Sequence, residues 1–285
     1  MNWGRLLRKV SWLWLPALLL AATACQSVQT TQPGALGVSR QQSMAVSRQQ
    51  IDQASQEAYN KMLAEAQQKG ILNRDFAATQ RVQRIAARLI PHTAAFRSDA
   101  PGWRWEVNVF SSDQVNAFCM AGGKIGVYTG LIQKLNITDD ELAAVVGHEI
   151  GHALREHVRE AVSRQMVTGT LLSIGATGLA IATGTGSSGA QLGQQLGGMV
   201  TQVMFTLPNS RENEQEADLI GLELAARGGF DPRAATTLWQ KMASLGGGSG
   251  PSFLSTHPSP ASRQADLTSA AQRVLPLYEA ALQRR

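Results

Sequence analysis

Residues 138–157 read TDDELAAVVGHEIGHALREH, with His148 and His152 four apart and Glu149 between them. On a helix, side chains four apart share a face, with Cβ atoms about 5–6 Å apart. Two imidazoles so placed can hold one divalent cation such as Zn2+. Glu149 points to the side of the pair, where a carboxylate can take a proton from an attacking water. Gly151 removes bulk beside the pair. The ordinary alternative is a polar patch on a surface helix. The apolar run LAAVV just before the pair argues against it, because His and Glu buried in mid-helix without a cation are costly. His157 is off the ligand spacing and reads as a solvated surface residue.

Two histidines do not complete a catalytic zinc site, which needs a third protein ligand and an open fourth position. The stretch SRENEQEADLIG (210–221) offers one. Glu214 and Asp218 are four apart and share a helix face, so one carboxylate can ligate while the other orients a ligand imidazole from behind. Glu212 and Glu216 fall on other faces and read as solvated charges.

Several elements must position these residues. Helical spacing runs from Ser47 to about Gln68 and ends at Gly70. DFAATQRVQRIAARLI gives a second helix with Val82, Ile85 and Leu89 on one face, stopped before Pro91. WRWEVNVF (103–110) alternates as a strand, and GGKIGVYTGLI (122–132) holds another. This second strand is the expected sheet edge on which an extended substrate would lie. Thr138 and Glu141 form a capping box, with Asp139 and Asp140 in the positive first turn of a helix expected to run to about Gln165. Residues 167–204 carry no charge and are weakly apolar; they read as a helical hairpin or mobile flap packed on the domain rather than a membrane span. Helices follow at about 210–227, from Asp231-Pro232 to about Ser244, and from near Ser259-Pro260. A glycine loop, Gly246–Gly250, falls between the last two.

The chain of 285 residues is 44% hydrophobic and 16% charged, which describes a globular protein with a real core. Its start is different. Arg5, Arg8 and Lys9 precede the apolar run VSWLWLPALLLAATA, the pattern of a secretory signal peptide over residues 1–24. ATAC reads either as an ordinary cleavage site or as an imperfect lipobox with Cys25 as the lipidated residue. Gln26 after Cys25, by resemblance to enterobacterial lipoproteins, implies the outer membrane. Residues 25–46, rich in Gln, Ser, Thr and Gly, read as a flexible tether, leaving residues 47–285 as the domain. The signal holds three of the 26 Lys and Arg residues and none of the 21 acidic ones, so the remainder is near neutral, at +2. No basic stripe exists, which excludes nucleic acid as a partner. Cys119 lies between Phe118 and Met120 and reads as a buried packing residue.

Three stretches together resemble a known family: HEIGH with its upstream NAFCMAGGKIGVYTGLI, SRENEQEADLIG, and STHPSPASR at 255–263. They resemble zinc metallopeptidase family forty-eight, the HtpX-like and CAAX-prenyl-protease-like gluzincins, over roughly residues 50–275. Within it the chain looks most like soluble periplasmic lipoprotein members of LoiP or BepA type, without a repeat extension. The resemblance implies an α+β, mostly helical fold with a small β-sheet and a central HExxH helix. It implies one Zn2+ per chain held by His148, His152 and Glu214, Glu149 as general base and Asp218 behind a ligand. It also places His257 and Arg263 near the site. His257 would stabilise the oxyanion, or occupy the fourth zinc position and hold the enzyme off. The implied activity is zinc-dependent endopeptidase action on unfolded or misassembled envelope proteins, that is, periplasmic quality control at the outer membrane. Two alternatives stand beside it. One is a deformylase-like amidase using Cys119 as a ligand, which the export signal disfavours. The other is an envelope assembly factor or chaperone whose zinc is structural or blocked.

Overall fold

The computed structural model describes residues 26–177, 189–245, 252–258 and 262–284. The signal peptide, Cys25 and the Gly246–Gly250 loop lie outside these. Among the described residues no helix is long and apolar enough to cross a membrane.

Ser47 caps helix α1 (Arg48–Gln68) through a reciprocal capping box with Gln50. Asp75 caps α2 (Phe76–Leu89), which buries Ala78, Val82, Ile85, Ala86 and Leu89 along one stripe. Pro91 then opens a 3-10 turn, Ile90–Ala95, as the sequence requires. Three strands follow: β3 (Glu106–Phe110), β4 (Ala117–Met120) and β5 (Lys124–Tyr128). β5 lies in the middle, parallel to β3 and antiparallel to β4. The expectation that the GGKIGVY strand forms the sheet edge is therefore wrong; the edge beside the histidine helix is β4. β4 carries no alternation because all four of its residues are buried, so nothing in AFCM marks it as a strand.

The short α3 (Thr129–Lys134) leads to α4 (Asp139–Leu154), which the Thr138–Glu141 capping box opens as expected. Every residue of α4 from Glu141 to Leu154 is buried. The helix is covered on all sides, which is why its sequence is apolar all round. It stops at Leu154 rather than running to Gln165. Glu156 takes a left-handed conformation, φ 53°, and a new helix α5 (His157–Thr177) starts after it. The unusual backbone is held by ion pairs from Glu156 to Arg97 at 2.5 Å and to Arg159 at 2.7 Å. Helix α6 (Gly189–Phe205) lays Leu196, Val200 and Val203 against Ile51 and Ala54 of α1. So both ends of the 167–204 stretch are helical, and residues 178–188 between them lie outside the described part. Helices α7 (Arg211–Arg227), α8 (Ala234–Ser244), α9 (Ser252–Thr256) and α10 (Arg263–Leu282) complete the chain. The fold is α+β and mostly helical.

Residues 26–46 are not a free tether. Strands β1 (Gln26–Val28) and β2 (Gln42–Met44) pair antiparallel, and Leu36 and Val38 enter the main core. The Gln42 side chain donates to the Arg155 carbonyl at 2.7 Å, and the Ala35 N–H donates to Glu223 at 2.6 Å. This strap is anchored by polar groups and single apolar residues without period, so composition alone reads it as loose chain.

Candidate metal centre

Two helices must approach closely for the predicted ligands to meet. Glycines on both make this possible. A Cβ on Gly151 would come within 2.9 Å of the Ala217 carbonyl, and one on Gly221 within 2.6 Å of the His148 nitrogen. With no side chain at either place, α4 and α7 pack backbone to backbone. Glu214, one turn before Asp218, is thereby carried over His148 and His152.

The sequence-predicted ligands are brought together, and His257 joins them. One donor atom each from His148, His152, Glu214 and His257 lies within 4.8 Å of all the others. The two Nε2 atoms are 3.0 Å apart; Glu214 lies 3.5 Å from His148 Nε2 and 3.3 Å from His152 Nε2. Ligands on the 2.0–2.1 Å arms of a zinc tetrahedron are about 3.3–3.4 Å apart, so these spacings fit.

Proton positions argue the same way. His148 Nδ1–H donates to Asp218 at 2.9 Å. His257 Nδ1–H donates to the Phe253 carbonyl at 3.1 Å. His157 Nε2–H donates to Glu216 at 3.0 Å, which leaves its Nδ1 free to accept from His152 Nδ1–H at 2.8 Å. Each of the three inner imidazoles thus turns an Nε2 lone pair inward. Lone pairs converging in a buried space repel unless a cation sits among them. Glu214 is buried with no hydrogen bond to Oε1 and only the Arg263 ion pair, at 3.0 Å, on Oε2; a carboxylate so sparsely satisfied is costly in a protein interior and ordinary for a metal ligand. Burial keeps the imidazoles neutral and ready to ligate: it lowers His148 to about 3 and His257 to about 3, and takes His152 well below its usual range. The residues fit a divalent cation with a borderline-soft preference such as Zn2+.

Glu149 is 2% exposed, and its Oε1 lies 3.4 Å from His257 Nε2. Burial, reinforced by the Glu214 charge, pushes its carboxyl well above the usual range, while the Cys119 backbone N–H of β4 hydrogen-bonds it. Arg263 is 3% exposed and clamps Asp218 with two bonds, at 2.8 and 2.7 Å. It also reaches Glu214 at 3.0 Å and the Pro258 carbonyl at 3.3 Å, and it stacks over Trp239 at 3.5 Å. Its guanidinium is thus engaged by both carboxylates, the Pro258 carbonyl and the Trp239 ring. Cys119 is buried, its thiol pushed well up by burial, and it is not among the clustered donors. That removes the support for a cysteine-ligated amidase.

Two surface readings are overturned. His157 is 2% exposed and Glu216 7%. The break at Glu156 turns His157 back beneath His152, which a continuous helix would not do. Glu216 faces the strap and is gripped by His157, Arg40 and Arg155. Burial raises its pKa, but these hydrogen bonds outweigh it and hold the carboxylate at about 2. Glu212 is exposed as expected.

The fold and the centre define a gluzincin-type metallopeptidase domain, a mostly helical α+β unit around one HExxH helix. The chain belongs to peptidase family M48, whose profile matches residues 77–271. It is 38% identical to the mitochondrial metalloendopeptidase OMA1 of Arabidopsis thaliana over 169 residues, covering 58% of this chain and 31% of that protein. It is 31% identical to the beta-barrel assembly-enhancing protease of Escherichia coli K12 over 204 residues, covering 70% and 40%. It is 36% identical to the mitochondrial metalloendopeptidase OMA1 of Bos taurus over 199 residues, covering 67% and 38%. The chain thus spans about a third to two-fifths of the length of these relatives.

Proposed function

We propose that this protein is a zinc-dependent endopeptidase that cleaves unfolded or misassembled proteins of the cell envelope, held at the outer membrane from the periplasmic side by lipid on Cys25. The observation that carries the catalytic part is the Glu149 carboxyl beside a cluster of three inward Nε2 lone pairs and a buried Glu214 whose Oε1 has no hydrogen-bond partner. The envelope substrates are supported by the name of the Escherichia coli relative, and the location by the signal and lipobox pattern at 1–25.

His148, His152 and Glu214 would hold the zinc. When bound, zinc supplies a Lewis acid that polarises the scissile carbonyl and makes water acidic enough to deprotonate near neutrality. Glu149 accepts the proton from the attacking water and delivers it to the leaving amine. A carboxyl raised by burial is suited to both halves of that transfer at neutral pH. Asp218 and Arg263 fix His148 and Glu214. An extended substrate would lie along β4, whose Cys119 N–H already points at Glu149. Main-chain pairing of this kind is largely blind to sequence, which suits unfolded substrates.

His257 supplies a fourth donor and closes the set, as in a structural zinc site. We read this as a resting state in which the His257 imidazole takes the position that water would need. The same closure favours one second reading, an assembly factor with a blocked zinc. Glu149→Gln separates the two. A peptidase loses cleavage of an unfolded outer-membrane protein while keeping zinc, and the variant traps uncleaved envelope proteins from extracts. Zinc-loaded protein that cleaves no unfolded polypeptide either as wild type or as His257→Ala would sink the peptidase reading.

A further inference from the structure

The strap at residues 26–46 reaches the metal centre through a continuous chain of polar groups, buried beyond the half-exposed Arg40. Arg40 forks two carboxylates at once. It holds Glu216 through two bonds of 3.0 Å and Glu160 through bonds of 2.6 and 2.9 Å. A third contact joins it to Asn213 at 2.9 Å. Arg155, fully buried, grips Glu216 from the other side with two more bonds of 3.0 Å and donates to the Arg40 carbonyl at 2.9 Å. Glu216 so fixed accepts from His157 Nε2–H, and His157 Nδ1 accepts from His152 Nδ1–H. The direction of each proton follows from the one before. An ionised Glu216 can only accept, so His157 must donate to it through Nε2 and has only a lone pair left for His152. His152 must then carry its proton on Nδ1 and present Nε2 to the centre.

We propose that His157 and Arg40 are positioning residues for the metal: through Glu216 they fix the tautomer and ring orientation of His152, and the strap is thereby a structural part of the metal centre. This rests on the reading of the cluster as a zinc site. An outer partner of this kind raises a ligand's basicity and spares the cation the cost of turning the ring. His148 has the usual carboxylate behind it, in Asp218. His152 has an imidazole there, and the carboxylate stands one residue further out, tied to a separate segment of chain. Metal affinity is therefore coupled to seating of the strap.

The test uses the full chain and measures zinc affinity by competition with a chromophoric chelator, with the cobalt(II) visible spectrum as a geometric readout. His157→Phe keeps a flat ring of similar size but cannot accept from His152, and it is expected to weaken zinc binding about 10–100-fold. His157→Gln can accept through its carbonyl and donate to Glu216 through its amide, so it is expected to stay within about threefold of wild type with an unchanged cobalt spectrum. Arg40→Gln, one link further out, is expected to weaken binding at least about threefold. Equal affinity in wild type, His157→Phe and Arg40→Gln overturns the proposal. So does a loss in His157→Gln as large as in His157→Phe, which would mark a packing role. If His157→Phe does not fold, the half-exposed Arg40 position decides the matter alone: unchanged affinity in Arg40→Gln overturns the coupling. A wild-type chain that binds no zinc overturns the metal reading itself and is recognised because no variant then has affinity to lose.

Discussion

Replacing Gly221 by Ala should open the metal centre from outside it. The added Cβ would sit 2.6 Å from the His148 nitrogen, against ordinary contact from 3.4 Å, so α7 must move away from α4 by about 0.8 Å. The obstacle is backbone, which cannot rotate aside. Glu214 lies two turns before Gly221 on the same helix and moves with it, while His148 and His152 stay on α4. Metal–ligand distances tolerate about 0.2 Å, so the displacement is several times what the centre can absorb. Overpacking costs about 1–3 kcal/mol, and the gain in helix propensity returns about 1 kcal/mol. The net loss, up to about 2 kcal/mol, corresponds to a Tm lower by up to about 4–8 °C for a domain of this size. Zinc affinity should fall at least about tenfold. Gly197→Ala is the matched control: it is helical, a Cβ there meets nothing within 4 Å, and the change should raise stability by about 0.4–1 kcal/mol. Thermal melting and chelator competition on both variants decide it. A Gly221→Ala chain with wild-type Tm and zinc affinity would refute the argument that close backbone packing of α4 on α7 builds the site.

His257→Ala should raise the rate of unfolded-polypeptide cleavage several-fold while weakening zinc binding, because it removes the closing donor. A fall of about a hundredfold would instead assign His257 to oxyanion stabilisation. Glu141 supplies a pH test. Burial raises its carboxyl, but the Lys241 ion pair at 2.7 Å, the Thr138 N–H and the Thr237 hydroxyl outweigh burial and hold it below the usual 4.5. With the folded value depressed, its contribution is complete above the unfolded value near 4.5 and is lost as pH falls through the folded one. The Tm of Glu141→Gln should therefore lie below wild type at pH 6 and converge with it toward pH 3; a constant difference across that range would contradict the assignment.

The chemistry was legible in the sequence because helix spacing is a strong constraint. HEIGH and the Glu214–Asp218 pair each specify a shared face, and the Thr138–Glu141 capping box marks where the HEIGH helix starts. What could not be read depends on contacts between distant segments. His157 looks solvated only if α4 continues, and the left-handed Glu156 that ends it is stabilised by Arg97, about sixty residues earlier in the chain. The strap resembles loose chain because its anchors are single groups, Arg40 and Gln42, whose partners lie on α5 and α7 or between α4 and α5. β4 is hidden because burial on both faces erases the period that marks a strand.

The central claim is that one cation sits among His148, His152, Glu214 and His257. It is tested most directly by metal analysis of never-chelated protein together with X-ray absorption at the zinc edge. The account predicts one zinc per chain, ligated only by nitrogen and oxygen at about 2.0–2.1 Å with an imidazole scattering pattern. Protein without stoichiometric metal, or a sulfur scatterer at about 2.3 Å, would contradict it.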